Sequence, residues 1–214
     1  MKVKSLILLV GVLLSVRGAF AQEEMQRIEV FGEYSYLRFN PTVPHFKNRS
    51  FSGGGGGATF NITNYLGIKA ELMGYGSTTW SATFSGPVVT PHGTIPAGTY
   101  STQGNMFTYL FGPVVKIPFS RWNPFGELLF GGSNSNGYAN VTRAFDAAGG
   151  TFSTSGTQHP FTMALGGGLD VHLTPHFSLR PVEIDWILTR YTNPFTNTNN
   201  QNSFRYTAGV VYRF

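Results

Sequence analysis

The last twelve residues change character at every step. Phe204, Tyr206, Ala208, Val210, Tyr212 and Phe214 fall on one side of an extended chain. Ser203, Arg205, Thr207, Gly209, Val211 and Arg213 fall on the other. Side chains of a β-strand point alternately to opposite faces, whereas a helix would scatter these residues around its circumference. The segment therefore predicts a strand with one apolar face, ringed by aromatics at both ends, opposite a small and polar face.

The same test finds seven more strands. Ile28 to Arg38 sets Ile28, Val30, Tyr34 and Tyr36 against Glu29, Glu33 and Ser35. Gly67 to Gly76 sets Ile68, Ala70 and Leu72 against Lys69, Glu71 and Tyr75. Asn105 to Ile117 sets Phe107, Tyr109, Phe111 and Val115 against Thr108, Gly112 and Lys116. Thr162 to Leu173 sets Leu165, Leu169 and Val171 against Ala164, Gly166, Gly168, Asp170 and His172. Phe51 to Ile62, Pro124 to Gly132 and Phe177 to Thr189 complete the set. In the last, Arg180 is out of phase with Glu183 and Asp185, and a bulge at Pro181 would restore the phase.

Connections alternate in length. Segments 61–66, 118–123 and 174–176 are short turns. Segments 40–50, 77–104, 133–158 and 191–202 read as long loops rich in Thr, Ser, Asn, Gly and Pro. Eight strands bring both termini to the short-turn side, and an even number lets the sheet close. Only 12% of residues are charged while 15% are aromatic, and glycines number 27. That charge share is about half of what a soluble domain carries. No apolar run beyond residue 21 approaches the ~18 residues a spanning helix needs. Strands whose outer faces meet lipid fit all of this, and a soluble β-sandwich is the competing fold. The fold class is all-β: an eight-stranded antiparallel up-and-down transmembrane β-barrel. Closure leaves no backbone edge in lipid, where each unpaired group costs several kcal/mol.

The N-terminus reads as an export signal. Lys2 and Lys4 precede an apolar run, Ser5 to Val16, and Ala19-Phe20-Ala21 offers a small-x-small cleavage pattern. We expect residues 1–21 to be removed and 22–214 to form the barrel domain. The three basic residues of the signal (Lys2, Lys4, Arg17) then take the formal charge from +5 to +2. The basic balance of the precursor thus argues for no nucleic-acid partner. The chain contains no cysteine, so no disulfide and no thioether lipid anchor is expected.

With its segments laid out, the chain resembles the outer membrane β-barrel domain family, relatives of the eight-stranded domain of outer membrane protein A. The segments that carry the likeness are EVFGEYSYLRFN (29–40), ATFNITNYLGIKAEL (58–72), YLFGPVVKI (109–117), PFGELLFGG (124–132), MALGGGLDVHLTPHFSLRPVEIDWILTRY (163–191) and NSFRYTAGVVYRF (202–214). The resemblance implies residence in the outer membrane among its lipids. It also implies that Phe214, with Tyr212, Val210 and Tyr206 on the same face, forms the signal read by the barrel-assembly machinery. An edge strand presenting an apolar face and free backbone groups suits capture by strand addition.

The remaining motifs read plainly. Gly53 to Gly57 is followed by Ala58-Thr59-Phe60 rather than by a Lys-Ser/Thr and a helix, so it is no phosphate loop; glycines there let a crowded strand pass inner side chains. The histidines (45, 92, 159, 172, 176) lack metal-ligand spacing, and no metal or cofactor is expected. Aromatics should form two belts: Tyr36, Tyr75, Trp80, Tyr191 and Phe204 at the outer ends, Tyr65, Trp122, Phe177 and Phe214 at the inner ends. Glu33, Lys69, Glu71, Lys116, Glu127, Asp170, Glu183, Asp185 and Arg205 fall on the lumen face. An eight-stranded interior is just wide enough for side chains to fill, so these charges must pair. Arg205 is expected to pair with Glu33 across the closing strands or with a carboxylate on the Glu183/Asp185 strand. The functional expectation is a monomer, not an enzyme, with a plugged polar lumen and a structural or surface-interaction role, the long loops offering a site for an extracellular ligand. A small diffusion channel is the alternative reading, followed by an envelope lipid-modifying enzyme with His159 as base, and a soluble periplasmic ligand-binding barrel.

Overall fold

A computed structural model describes residues 27–39, 49–91, 93–151, 159–190 and 200–214. Among these residues ten strands and one helix follow in chain order. They are β1 (Ile28–Phe39), β2 (Arg49–Asn61), β3 (Leu66–Phe84), β4 (Val88–Thr90), β5 (Gly93–Ile95), β6 (Gly98–Lys116), β7 (Trp122–Ser135), α1 (Gly137–Ala147), β8 (Phe161–His172), β9 (Phe177–Arg190) and β10 (Asn200–Arg213). Eight strands close into an antiparallel barrel in the order β1-β10-β9-β8-β7-β6-β3-β2, while β4 and β5 pair separately. Each alternation read from the sequence coincides with one barrel strand; those ending at Ile62, Ile117, Leu173 and Phe214 run one residue past the strand's end. The expected signal segment, residues 1–21, lies outside the described residues.

Alternation sets the faces. In β10, Phe204, Tyr206, Val210 and Tyr212 are exposed, while Ser203, Arg205, Thr207, Val211 and Arg213 are buried. The bulge at Pro181 is present. Glu183 pairs with Thr207 and Arg180 with Gly209, so two residues of β9 face one of β10. Pro181 has no N–H to give the ladder, which makes this the cheapest place for the extra residue. The result turns both Arg180 and Glu183 inward. The turn 173–176 is closed by the Thr174 hydroxyl, which accepts the Phe177 N–H at 3.0 Å, and the turn at 62–65 by Thr63 accepting from Leu66 at 3.0 Å.

Two of the expected loops are largely structured, which corrects the reading of 77–104 and 133–158. β3 and β6 are 19 residues each, about twice the ~9–11 residues that cross a bilayer, and β4–β5 form a hairpin above them. A second bulge hid this extension. Tyr75 pairs with Met106 but Thr78 pairs with Gly104, so the inward phase moves from odd residues to even ones, Ala82 and Phe84. The alternation therefore breaks at Gly76-Ser77, and the Thr/Ser-rich stretch beyond it looks irregular. In segment 133–158, β7 runs on to Ser135 and α1 follows. The helix stops where Gly149 takes φ +92°. Gly150 N–H then donates to Phe145 O at 2.9 Å and Gly149 N–H to Asp146 O at 3.0 Å, the paired bonds of a glycine C-terminal stop. Strands also reach into the other two segments, from Arg49 and from Asn200.

Candidate functional site

The inner glycines make the site possible. On β2, a Cβ at Gly53 would meet the Tyr75 ring at 2.9 Å, one at Gly55 the Met73 sulfur at 2.7 Å, and one at Gly57 the Phe31 ring at 2.7 Å. On β8, a Cβ at Gly168 would meet the Phe125 ring at 2.8 Å. Across β10, one at Gly209 would meet Glu33 Cγ at 2.6 Å. The wall is thinned wherever a large inner side chain leans on it.

What fills the space is charge. None of the nine lumen-face residues singled out above is more than 6% exposed. Lys69 is the hub: its Nζ donates to both oxygens of Glu127, at 3.2 and 3.0 Å, and of Glu183, each at 3.1 Å. It also stands 3.2 Å from Glu71 Oε2. Arg180 Nη1 donates to Glu33 at 2.7 Å and to Glu183 at 3.0 Å. The other edge of Arg180 grips both oxygens of Asp170, at 2.7 and 3.1 Å. Arg205 donates to Asp185 at 2.8 Å and to both oxygens of Glu71, and lies 3.6 Å from Glu183. Glu183 thus touches all three cations. Carboxylate groups of Glu33, Glu71 and Glu183, and of Glu127, Glu183 and Asp185, approach closely enough to hold a metal ion, but the ammonium of Lys69 stands among Glu71, Glu127 and Glu183 and supplies the cation there.

Two corrections concern this network. Of the two partners expected for Arg205, the carboxylate on the neighbouring strand is found, as Asp185 at 2.8 Å; Glu33 is instead taken by Arg180, turned inward by the bulge, and Arg205 also reaches across to Glu71. Tyr75 does not join the aromatic belt. It is buried, its hydroxyl hydrogen-bonded to Ser35 Oγ at 3.1 Å, because its odd position faces the lumen below the second bulge. Tyr36 and Phe204 at one end, and Tyr65, Trp122, Phe177 and Phe214 at the other, are exposed as belt residues would be. The side chain of Trp80, and Tyr191, lie outside the described residues.

Sequence reasoning also missed partners. Arg180 is absent from the expected network, although the expected bulge at Pro181 turns it inward. Phe31 shares the inward phase of Glu29 and Glu33, and Phe125 that of Glu127. Together these rings form an aromatic shelf under the cations: Lys69 Nζ is 4.9 Å from the Phe31 centroid, and the Arg180 guanidinium is 4.4 Å from that of Phe125.

Lys116 belongs to a separate layer nearer the short turns. Its Nζ donates to Glu29 and, at 3.0 Å, to Asn61 Oδ1. Arg213 lies 3.4 Å from Glu29 and bonds His172, whose Nδ1 also meets Ser178 Oγ at 2.9 Å. At the opposite end, Leu37, Phe51, Met106 and Leu110 close the lumen with apolar side chains. The apolar cluster continues into Ala82, Phe84, Ile95, Val141 and Phe145. Phe145 packs edge-on against Tyr100, centroids 4.6 Å apart, and α1 is tied down by Asn140 donating to Gln103 O at 2.7 Å.

Tyr206, Val210, Tyr212 and Phe214 sit on the exposed face of β10 and just beyond it. His159, the residue weighed as a catalytic base, is exposed beside β8, and His45 and His92 lie outside the described residues.

Residues 6–214 match the family model described as outer membrane protein beta-barrel domain. Among solved structures, the fold is similar to Neisserial surface protein A at 10% identity, covering 87% of this chain and 97% of that one, with a TM-score of 0.55. It is also similar to the outer membrane protein OprG from Pseudomonas aeruginosa, at 14% identity over 90% and 97% of the chains, TM-score 0.53. Ail, the attachment invasion locus protein of Yersinia pestis, matches at 14% identity over 89% and 100%, TM-score 0.45. No curated protein matches the sequence.

Proposed function

Because the chain belongs to the outer membrane protein β-barrel domain family, whose members reside in the outer membrane, we propose that it acts there as a sealed barrel with a structural or surface-interaction role, not as a pore and not as an enzyme. The observation that carries this reading is the caging of Lys69, Arg180 and Arg205 by six carboxylates (Glu33, Glu71, Glu127, Asp170, Glu183 and Asp185) across the full width of the lumen. Opening a path for ions means separating buried charges whose desolvation is repaid only while they stay paired. Work is then left to the part that stands above the membrane, the extended β3–β6 ribbon with its β4–β5 tip and α1. Val89 at that tip is 83% exposed, and projecting loops are where barrels carry binding. The reading includes removal of residues 1–21 and delivery to the barrel-assembly machinery through Tyr206, Val210, Tyr212 and Phe214.

Planar bilayers test it. Purified barrel should insert and stay silent; reproducible unitary steps from the wild-type protein would replace this reading with the diffusion channel. Separately, replacing Phe214 by Ser should lower the folded fraction in cells while leaving refolding in detergent unchanged.

A further inference from the structure

We propose that the loop-end half of the lipid face on β1, β2 and β3 binds a lipid with an anionic headgroup. Its phosphate sits on Arg38 and an acyl chain lies in the furrow below. Outside α1, every exposed charged side chain among the described residues is an arginine: Arg27 and Arg121 at the short-turn end, Arg38 and Arg190 at the other. All seven carboxylates of the described barrel strands are buried in the lumen. Arg38 leaves the outer face of β1 beside Phe204 of β10 and Ser50 of β2, just above the exposed Tyr36–Tyr206 pair. That is the level of the aromatic belt, where headgroups lie. A guanidinium takes two oxygens of one phosphate, and no carboxylate of the described strands lies outside the lumen to compete for it.

Below Arg38 the wall is bare. Successive strands pair Tyr34, Gly54, Gly74 and Phe107 in one row, and Gly32, Gly56 and Leu72 in the next. All of these positions share the outward phase, so the glycines floor a furrow between the exposed Tyr34 ring and the exposed Leu72 and Phe107 side chains. Rings leaning on the wall force the inner glycines; nothing inside the protein forces Gly32 or Gly74. A Cβ at Gly32 would meet nothing within 4 Å, and one at Gly74 nothing nearer than 3.9 Å. Glycine weakens a strand interior, and it marks places where a ligand or another backbone comes close. Beside Gly74 and Phe107 the wall is further hollowed into a cavity of about 370 Å³, with Asn105 and Asn134 at its rim. A second copy of the barrel is the other body that fits a bare wall, but its described strands bring no acid to Arg38. An anionic lipid supplies both the chain for the furrow and the charge for its head.

The test uses the whole folded barrel, isotope-labelled, in maltoside micelles. Dimyristoyl phosphatidylglycerol, or dimyristoyl phosphatidylcholine with the same chains, is added as a rising mole fraction of the micelle. The amide resonances of Gly32, Gly54 and Gly74 and the Arg38 Nε–H are followed. We expect saturable shifts at all four, with the glycerol lipid bound about fivefold more tightly, the preference one basic residue gives an anionic headgroup. Arg38→Gln should bring the glycerol lipid down to the choline lipid and leave the choline lipid where it was. Gly74→Leu should weaken both lipids at least tenfold; Gly32→Leu, for which the wall also has room, decides if the first variant does not fold. Equal affinity for the two lipids, or a preference that survives Arg38→Gln, overturns the proposal. So do glycine shifts that follow protein concentration with no lipid added, which would identify a second copy as the occupant.

Discussion

The lumen and the cap above it are both packed interiors of one barrel, yet they are built on opposite principles. In the lumen, residues of seven different strands contribute ions, and the contacts are specific pairs, among them Lys69 with Glu127 and Glu183, Arg180 with Asp170 and Glu33, Arg205 with Asp185 and Glu71. In the cap, Phe84, Ile95, Val141 and Phe145 belong to one apolar cluster. The difference follows from what surrounds each. A barrel wall in lipid must be apolar outside, so polarity can mark only the inner face, and a one-residue slip of any strand would turn its charges into hydrocarbon. Buried ion pairs add little net stability compared with apolar packing; here they fix register. The cap stands in water, where apolar burial alone supplies the driving force.

Breaking the hub is the strongest way to test this contrast. Lys69→Met leaves Glu71, Glu127 and Glu183 facing one another, and loss of one partner of a buried pair costs about 3–5 kcal/mol. The expected result is a lowered urea midpoint and a large unfolded fraction by heat-modifiable gel mobility, with partial recovery when Glu127→Gln is added. Arg205→Gln should act in the same direction by a smaller amount, since Glu71 keeps Lys69 while Asp185 loses its charge partner. Phe145→Ala sharpens the comparison from the other side. A buried phenylalanine truncation is worth about 3–5 kcal/mol where the site cannot collapse, but here it should fall on α1 docking. Protease cleavage within 136–151 should rise while the urea midpoint of the barrel moves by less than about 1 kcal/mol equivalent. The smallest effect is expected on the lipid face: Tyr206→Phe removes the hydroxyl that donates to Pro181 O at 2.8 Å, a loss of about 1 kcal/mol.

The two regions also differ in how readable they were. Barrel strands declare themselves because lipid and lumen impose a period of two, and Ser203–Phe214 shows it without a break. Pairing across the lumen is not written in any local pattern. The Arg205–Asp185 pair is legible because the two strands are neighbours, but nothing near Arg205 indicates Glu71, 134 positions away, and Glu33 goes to Arg180 because the bulge turns that arginine inward. Phe31 and Phe125 were legible by phase, but their stacking under cations depends on strands meeting around the circumference. The cap was hidden by a phase flip at Gly76-Ser77 and by composition. A cue to the helix lay in Ala147-Ala148-Gly149-Gly150, a glycine stop behind Val141 and Phe145 spaced four apart.

The absence of cysteine makes accessibility of the lumen directly measurable. Single substitutions Ser35→Cys and Ala164→Cys place near-isosteric thiols at inward positions that are 0% exposed, with Ala208→Cys on the outer face of β10 as reference. In proteoliposomes, a charged methanethiosulfonate reagent added to both sides should leave the two inward thiols unmodified over hours, and a membrane-soluble maleimide should label position 208. Rapid modification of positions 35 and 164 in folded protein would mean water and ions reach the charge network, contradicting the sealed lumen.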